Sequence, residues 1–150
     1  MNDQQNFFKL LKYSNELKIN NKYLDKEDPE AFDTLLKFLV RIEDNFHYSE
    51  KHEYIELAKN FLADQITADD FSYSFLAIYE GIGEKLGQMK RKESLELVDF
   101  LKPSRPRLGK LLARIHGSCD SFSLDPDITM VDEQELKDCA QILLVELQKE

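Results

Sequence analysis

Hydrophobic residues recur along the chain with the period of an α-helix. Between residues 32 and 40 they stand three or four positions apart, so they share one helical face. This stripe consists of Phe32, Leu35, Leu36, Leu39 and Val40. Comparable stripes lie at about residues 7–19, 54–62, 71–79, 108–115 and 136–147, with a shorter apolar segment at 95–101. The pattern therefore predicts an all-α fold.

Capping and helix-breaking residues mark the limits of these helices. An Asp, Ser or Thr side chain can accept a hydrogen bond from a first-turn amide, and proline fits the first helical position. The predicted starts are Asp28 before Pro29, then Ser49, then Thr67 or Asp69, and finally Asp132. The predicted ends are Asn20-Asn21, a frayed stretch at Gly81, Gly83 and Gly87, and Gly117, followed by a loop over 118–131.

Composition favours one water-soluble domain. At 150 residues the chain can bury roughly two-thirds of its unfolded surface. Hydrophobic residues make up 42% and charged residues 33%, which argues against both disorder and a membrane-embedded protein. Only 5 glycines and 4 prolines are present, which argues against a turn-rich sandwich or barrel.

The N-terminal residues and the lengths of the apolar runs predict a cytoplasmic protein, and this compartment in turn predicts the state of the cysteines. The first residues are polar, and no apolar run reaches the ~18 residues that a membrane span requires. Cys119 and Cys139 are therefore expected to be buried free thiols rather than a disulfide.

Charge is strongly negative but unevenly distributed. The net charge is −9, which opposes direct contact with nucleic acid and attracts basic partners, although solubility alone also explains it. Residues 86–115 carry eight basic and three acidic side chains, a net of +5. Residues 116–150 carry two basic and nine acidic side chains, a net of −7. Either segment could contact a partner.

Catalytic, metal-binding and cofactor-binding patterns are not apparent, so the sequence predicts a binding protein rather than an enzyme. Gly81-Ile82-Gly83 falls at a predicted helix end, where exposed carbonyls repel phosphate. His47 and His52 have no further ligand nearby, and His116 with Cys119 would supply two ligands at best. A nucleophilic set of Cys119, His116 and Asp120 would have no evident oxyanion hole. Capping and solvation explain the paired acids, which are Asp69/Asp70, Glu80/Glu84, Asp125/Asp127 and Asp132/Glu133/Glu135.

Several motifs nevertheless resemble one family. The segment from Tyr54 to Phe71 reads YIELAKNFLADQITADDF, a helix of the form hxLAxxFL followed by an IT-x-x-x-F turn. It resembles the opening of the colicin D-type immunity proteins, a bacterial self-protective family. LGKLL at 108–112 resembles the third family helix, CDSFSLDPD at 119–127 its acidic loop, and VDEQEL at 131–136 the start of its last helix.

The resemblance, over roughly residues 52–148, implies both a fold and a partner. The expected fold is a compact antiparallel helical bundle within a single domain, in which residues 1–50 form an N-terminal helical extension to a four-helix immunity-like core at 52–148. The implied partner is a basic, tRNA-cleaving toxin domain whose active site the protein covers. The implied contact residues are Asp120, Asp125 and Asp127, flanked by Asp132 and Glu133.

One departure from the family leaves a second interpretation open. Where members can carry acids within the third helix, this chain has Lys110 and Arg114. The alternative is a regulatory or assembly protein that uses a related helical bundle to bind another protein. No cofactor, nucleic acid or membrane is expected as a partner, and the oligomeric state is left open.

Overall fold

The structure, a computed structural model, describes residues 2–103, 108–122 and 131–149. These residues form seven α-helices, a 3₁₀ helix and no strand, which confirms the all-α fold. The α-helices are α1 (Asp3–Ile19), α2 (Leu24–Glu27), α3 (Pro29–Ser49), α4 (Lys51–Leu62), α5 (Ala68–Arg91), α6 (Leu108–Ser121) and α7 (Glu133–Leu147). The 3₁₀ helix is Leu95–Phe100. No described helix combines the length and the apolar character that a membrane crossing needs.

Three of the predicted helix starts are confirmed. Asp28 Oδ1 accepts a hydrogen bond of 3.2 Å from a first-turn amide of α3, which begins at Pro29. At the start of α5, Thr67 Oγ1 accepts from the Asp70 amide at 3.1 Å and Asp70 Oδ2 from the Thr67 amide at 3.4 Å. This reciprocal pair is a capping box. Asp132 caps α7 at 3.0 Å.

The predicted cap at Ser49 is wrong. Ser49 is the last residue of α3, and Glu50 takes the N-cap position of α4 with no side-chain cap hydrogen bond. The Glu50 amide donates to His47 O at 3.1 Å, so a hydrogen-bonded turn directly links α3 to α4. An N-cap serine needs an extended backbone, which a residue inside a helix does not have.

The predicted fraying of α5 is also wrong, because this helix continues through Gly81, Gly83 and Gly87 to Arg91. Its buried positions include Ile82 and Leu86, so packing of one apolar face outweighs the low helix propensity of the glycines. The glycine pair at 81 and 83 therefore lies inside a helix rather than at its end.

The end of α6 was likewise placed too early. The helix passes Gly117 and ends at Ser121, because Cys119 belongs to its buried face. Residues 118–121, assigned by the sequence to a loop, are thus helical. The rest of that predicted loop falls mostly at 123–130, outside the described residues.

Three helices end in Schellman motifs built on residues other than glycine. Asn21, Asp64 and Glu93 each adopt a left-handed backbone, with φ of 58°, 57° and 51°. The backbone amide of the following residue donates a hydrogen bond to a carbonyl of the preceding helix. For example, the Gln65 amide donates to Asn60 O at 2.9 Å. The break predicted at Asn20-Asn21 is confirmed. The left-handed residue changes the direction of the chain at each of these turns. The motif also provides hydrogen-bond donors for carbonyls that the last turn of a helix would otherwise leave without a partner.

The chain divides into two compact units. The first contains residues 1–46 and 84–105, and the second contains residues 47–83 and 106–150. In the first unit, Asn45 is 8% exposed and donates to Phe100 O at 2.9 Å and Lys102 O at 2.8 Å. The Phe46 and Phe100 rings meet edge-on at 5.1 Å. The single domain divided at about residue 50 stays a prediction.

The second unit packs around aromatic and aliphatic side chains of α4 to α7. The Phe61 and Phe71 rings stack at 4.6 Å, and the Tyr54 and Phe75 rings lie 5.4 Å apart. Cys119 and Cys139 are buried free thiols in this core, as expected. Its other fully buried side chains include Leu108, Leu112, Ile115, Leu136, Ala140 and Leu143.

Candidate protein-binding surface

A lysine side chain of α7 contacts the end of α4 in the second unit. Lys137, in the second turn of α7, donates from Nζ to Asp64 Oδ1 at 2.6 Å and to Phe61 O. Its ammonium also lies 4.1 Å from the centre of the Phe61 ring. Asp64 follows the end of α4, so the end of α4 lies beside the start of α7. Because these helices also pack against each other, they run antiparallel, as the resemblance implies for the bundle.

The start of α5 and the end of α6 lie at the same end of the unit. Asp69 and Asp70, in the first turn of α5, line a pocket with Cys119 and Phe122. Phe122 also pairs through an isolated backbone bridge with Val131. Since Val131 directly precedes the cap of α7, all four helices of the second unit contribute a terminus to this end.

Six exposed carboxylates lie in these termini or next to them, and we call this end of the unit the acidic end. Its members are Asp64, Asp69, Asp70, Asp120, Asp132 and Glu133. Lys137 lies among them, but only 18% of its side chain is exposed and it is paired with Asp64. Lys59, in the last turn of α4, is exposed and adds one positive charge. Acidic side chains therefore outnumber basic ones among those named at this end.

Part of this charge stabilises the fold. Asp70 and Asp132 cap α5 and α7, and Asp69 and Glu133 lie in first turns. Negative charge is favourable there because the helix dipole is positive at its N-terminus. Asp120 is different, since it lies in the last turn of α6, where the dipole is negative. Helix stability therefore does not account for Asp120.

Three of the five predicted contact residues lie in this surface. Asp120, Asp132 and Glu133 are exposed at the acidic end. Asp125 and Asp127 lie outside the described residues. Sequence reasoning assigned Asp69 and Asp70 only to a helix start and omitted Asp64. No local signal marks Asp64, because its partner Lys137 is 73 positions away.

An exposed aromatic side chain adjoins the acidic end. Tyr73 is 77% exposed and lines the same pocket as Asp69 and Asp70. A large exposed apolar side chain next to charged groups is a common feature of protein interfaces, where tyrosine is enriched. The surface thus combines charge with an aromatic contact.

The described basic residues of the segment 86–115 are divided between the two units. Lys90, Arg91 and Lys92 belong to the first unit, whereas Lys110 and Arg114 lie on α6 in the second. The arithmetic sum of +5 therefore overstates the positive charge that a partner would meet at any one of these helices.

The first unit has a groove of its own. It has a volume of about 670 Å³ and is lined on one side by α5 residues with helical spacing, Lys85, Gln88, Met89 and Lys92. The other lining residues include Phe46, Phe100, Glu96 and Asp99. The groove is thus lined by aromatic rings and by charged side chains of both signs.

Two histidines of the second unit, His47 and His116, lie close to polar and aromatic side chains. His47 is 2% exposed, its Nδ1 lies 2.9 Å from Tyr54 Oη, and its ring stacks on Tyr79 at 5.0 Å. Burial lowers the pKa of His47 to about 4, so it is neutral at physiological pH. His116 Nε2 lies 3.9 Å from Glu80 Oε1.

The cysteine and metal chemistry considered from sequence finds little support in these surroundings. Burial raises the pKa of Cys119 to about 12, so its thiol stays protonated and is a poor nucleophile. Across residues 2–103, 108–122 and 131–149, no three His, Cys, Asp or Glu side chains are grouped as metal ligands would be.

No protein-family model matches the chain, and neither a curated protein nor a solved structure is significantly similar to it. The resemblance to the colicin D-type immunity proteins therefore stays an expectation from the residues quoted above.

Proposed function

We propose that the chain is an immunity protein that binds a basic nuclease toxin domain of the tRNA-cleaving type and covers its active site. The observation that supports this proposal is the acidic end, where exposed carboxylates lie in or next to four helix termini at one end of the second unit. The motifs shared with the colicin D-type immunity proteins fall in the same unit, at 54–71 and 108–136.

Electrostatics explain why such a surface suits such a partner. A nuclease that cleaves tRNA needs lysine and arginine side chains to hold phosphates. A surface of clustered carboxylates competes for those cations directly. It also accelerates encounter, because complementary charge raises association rates from about 10⁵–10⁶ to as much as about 10⁸–10⁹ M⁻¹s⁻¹ at low salt. Fast binding suits a cytoplasmic protein that must capture a toxin before it cleaves substrate.

The proposed contacts centre on the one acid of this end that lies at the negative pole of its helix, together with two acids at the start of α7. Asp120 is the central contact, with Asp132 and Glu133 as its flank. Asp125 and Asp127 complete the set from outside the described residues. Tyr73 adds an aromatic contact at the edge of the surface, since it is exposed beside Asp69 and Asp70.

Charge reversal tests this proposal in cells that produce the cognate toxin domain. We predict that Asp120→Lys combined with Asp127→Lys abolishes protection while circular dichroism reports unchanged helicity. The matched control is Glu53→Lys with Glu56→Lys, because these acids are also exposed but lie on α4, away from its end at the acidic surface. Both variants change the net charge equally. Full protection by the Asp120/Asp127 variant, or equal loss in both variants, contradicts the proposed contact surface.

A second function is favoured by the groove of the first unit. A partly aromatic floor with flanking charges of both signs is an arrangement that a regulatory or assembly protein could use to bind another protein. The two proposals differ in their experimental signature. An assembly protein would co-purify with a cellular complex in the absence of any toxin. Met89→Asp in the groove would break that association, whereas Asp120→Lys with Asp127→Lys would not.

A further inference from the structure

Helix α7 carries hydrophobic side chains on two opposite faces. One face is buried in the second unit and includes Leu136, Leu143 and Leu147, which pack α7 against α4 and α6. The other face includes Ile142, which is 43% exposed, and Val145, which is 50% exposed. A surface helix of a globular protein needs one apolar stripe, so a second apolar pair on the opposite face indicates a further contact.

The residues around this exposed pair have the spacing of a coiled-coil seam. Asp138 lies four positions before Ile142, Val145 lies three positions after Ile142, and Lys149 lies four positions after Val145. Alternating steps of four and three are those of heptad a and d positions, which face a second helix. Lys149 follows the C-cap Gln148, whose backbone is still right-handed helical, so it extends the same stripe. All four side chains of the stripe are exposed, and we call it the outer seam.

The outer seam is self-complementary in charge. Its first member is an acid and its last a base, and the two are equally distant from the apolar pair. A two-fold axis through the middle of this pair, perpendicular to α7, sets two copies of the helix antiparallel. It places Ile142 opposite Val145 of the second copy. It also places Asp138 opposite Lys149 of the second copy, and each contact occurs twice because the interface is symmetric.

The two charged side chains of the seam can pair across such an interface without losing their contacts within the chain. Lys149 is 58% exposed and donates to Glu146 Oε2 at 2.8 Å. An ammonium group has three N–H donors, so it can also serve a second carboxylate. Asp138 is exposed and accepts from Gln134 Nε2 at 3.0 Å through Oδ1, which leaves Oδ2 to accept from a lysine.

Another exposed apolar pair, on α3, lacks this symmetry. Leu36 and Val40 are 44% and 48% exposed, and the exposed acids Asp33 and Glu43 precede and follow them. The same antiparallel arrangement would place Asp33 opposite Glu43 of the second copy. Like charges that face each other across an interface are unfavourable. Charge therefore favours self-association through α7 over self-association through α3.

Antiparallel pairing also keeps the acidic ends of two copies apart. The acidic end includes the start of α7, whereas the outer seam occupies the second half of this helix. At a rise of 1.5 Å per residue, the two starts of α7 would lie about 30 Å apart along the helices. This separation exceeds the Debye length of about 8 Å in physiological salt, so repulsion between the acidic ends is largely screened.

We infer that the outer seam joins two copies of the chain into an antiparallel, two-fold symmetric dimer. Ile142 and Val145 form its apolar centre, and the ion pairs between Asp138 and Lys149 fix its register. An interface built mainly on one helix is small, so the dimer is weak, with a dissociation constant of about 10–100 µM. The inference does not depend on the proposed function, because no residue of the outer seam belongs to the acidic end.

Sedimentation equilibrium of the full chain, from about 5 µM to about 500 µM, measures this association across the expected dissociation constant. We expect the average mass to rise with concentration from that of one chain toward that of two. Val145→Asp should abolish the rise, because it places a charge in the apolar centre. Val40→Asp is the matched control, since it makes the same change at an equally exposed position of α3. A single-chain mass at every concentration, or the same result for both variants, overturns the inference.

Charge exchange tests the antiparallel register with variants that leave the apolar pair intact. Asp138→Lys and Lys149→Asp each set like charges against each other, and each should weaken self-association about tenfold or more. An equal mixture of the two variants should associate as tightly as the native chain, because every facing pair then contains one lysine and one aspartate. Circular dichroism checks that both variants keep their helices. No loss in the single variants, or no recovery in the mixture, overturns the inference.

A toxin domain is the other occupant that these experiments distinguish. Loss of toxin protection in Val145→Asp, together with a native chain that stays monomeric, would assign the outer seam to the toxin and overturn the inference. A dimer that is broken by Val145→Asp, in a protein that protects against no toxin, would support the inference and contradict the proposed function. The two proposals can therefore fail separately.

Discussion

Phe61 connects the core of the second unit with its charged surface. Its ring is fully buried and stacks on Phe71, while its carbonyl and ring both contact Lys137. Removing the ring would leave a cavity and withdraw one contact from the lysine that joins α4 to α7. A single aromatic side chain thus helps to hold two of the helices that form the acidic end.

Phe61→Ala is therefore expected to destabilise the protein by about 3–5 kcal/mol, the usual cost of truncating a buried phenylalanine. Urea unfolding followed by circular dichroism measures this loss. Tyr73→Ala is the control, because an exposed side chain contributes within about 0.5 kcal/mol. A loss below about 1 kcal/mol for Phe61→Ala would mean that the ring is not part of the core.

His47 makes stability depend on pH in a defined direction. Burial lowers its pKa to about 4 in the folded protein, from 6.5 for the unperturbed group. Between these values the unfolded chain binds a proton at His47 and the folded chain does not. The contribution of His47 to the free energy of unfolding should therefore be fully present above pH 6.5. It should be lost as the pH falls toward 4, which lowers the free energy of unfolding by up to about 3 kcal/mol.

The His47 prediction is checked by urea unfolding at several pH values in the native chain, His47→Gln and His52→Gln. The native chain and His52→Gln, whose histidine is exposed, should lose stability together between pH 6.5 and 4. His47→Gln should be less stable at neutral pH but flatter over that window. Parallel pH curves for all three proteins would rule out His47 as the cause.

Single residues also differ in how far sequence reveals their role. Thr67 and Asp132 could be predicted as caps because capping depends on neighbours three positions away. Asp64 could not be assigned to the acidic surface, because its position depends on a left-handed turn and on a lysine far along the chain. The burial of Ser72 is similar, since it depends on tertiary packing rather than on neighbouring residues in the sequence.

At the scale of elements, helix starts followed from sequence better than helix ends. Starts require a specific side chain, whereas ends depend on how long an apolar face remains packed. α5 is the clearest case, because Ile82 and Leu86 continue its buried face past two glycines. The packing gain of those side chains exceeds the cost of glycine in a helix, which propensity alone could not reveal.

The α5 glycines therefore offer a stabilising substitution. A Cβ atom added at Gly83 meets no atom within 4 Å, and the residue is exposed in mid-helix. We expect Gly83→Ala to raise the free energy of unfolding by about 0.8–1 kcal/mol, the difference in helix propensity. Thermal and urea unfolding would report this gain.

Gly87→Ala is the matched comparison within the same helix. Its Cβ would lie 3.3 Å from Arg91 Nη1, so the guanidinium that pairs with Glu84 at 3.7 Å must shift. The gain should therefore be smaller than at Gly83. A loss of stability in Gly83→Ala would show that α5 is not helical at this position.

At the scale of the whole molecule, sequence composition gave the sign of the charge but not its arrangement. The net charge of −9 is a sum, and so are the segment values of +5 and −7. Folding divides the basic side chains between two units and gathers acids from α4, α5, α6 and α7 at the acidic end. Asp120, Asp132 and Glu133 could be proposed from sequence only through the resemblance to the colicin D-type immunity proteins, which implied them as contact residues.

The central claim is that this acidic surface captures a basic toxin domain. The most direct measurement is calorimetric titration of the domain encoded immediately upstream with this protein, at about 0.05 M and about 0.3 M salt, where screening differs strongly. We expect one-to-one nanomolar binding that weakens at the higher salt and is lost in Asp120→Lys with Asp127→Lys. No binding, or tight binding that ignores both salt and these substitutions, would contradict it.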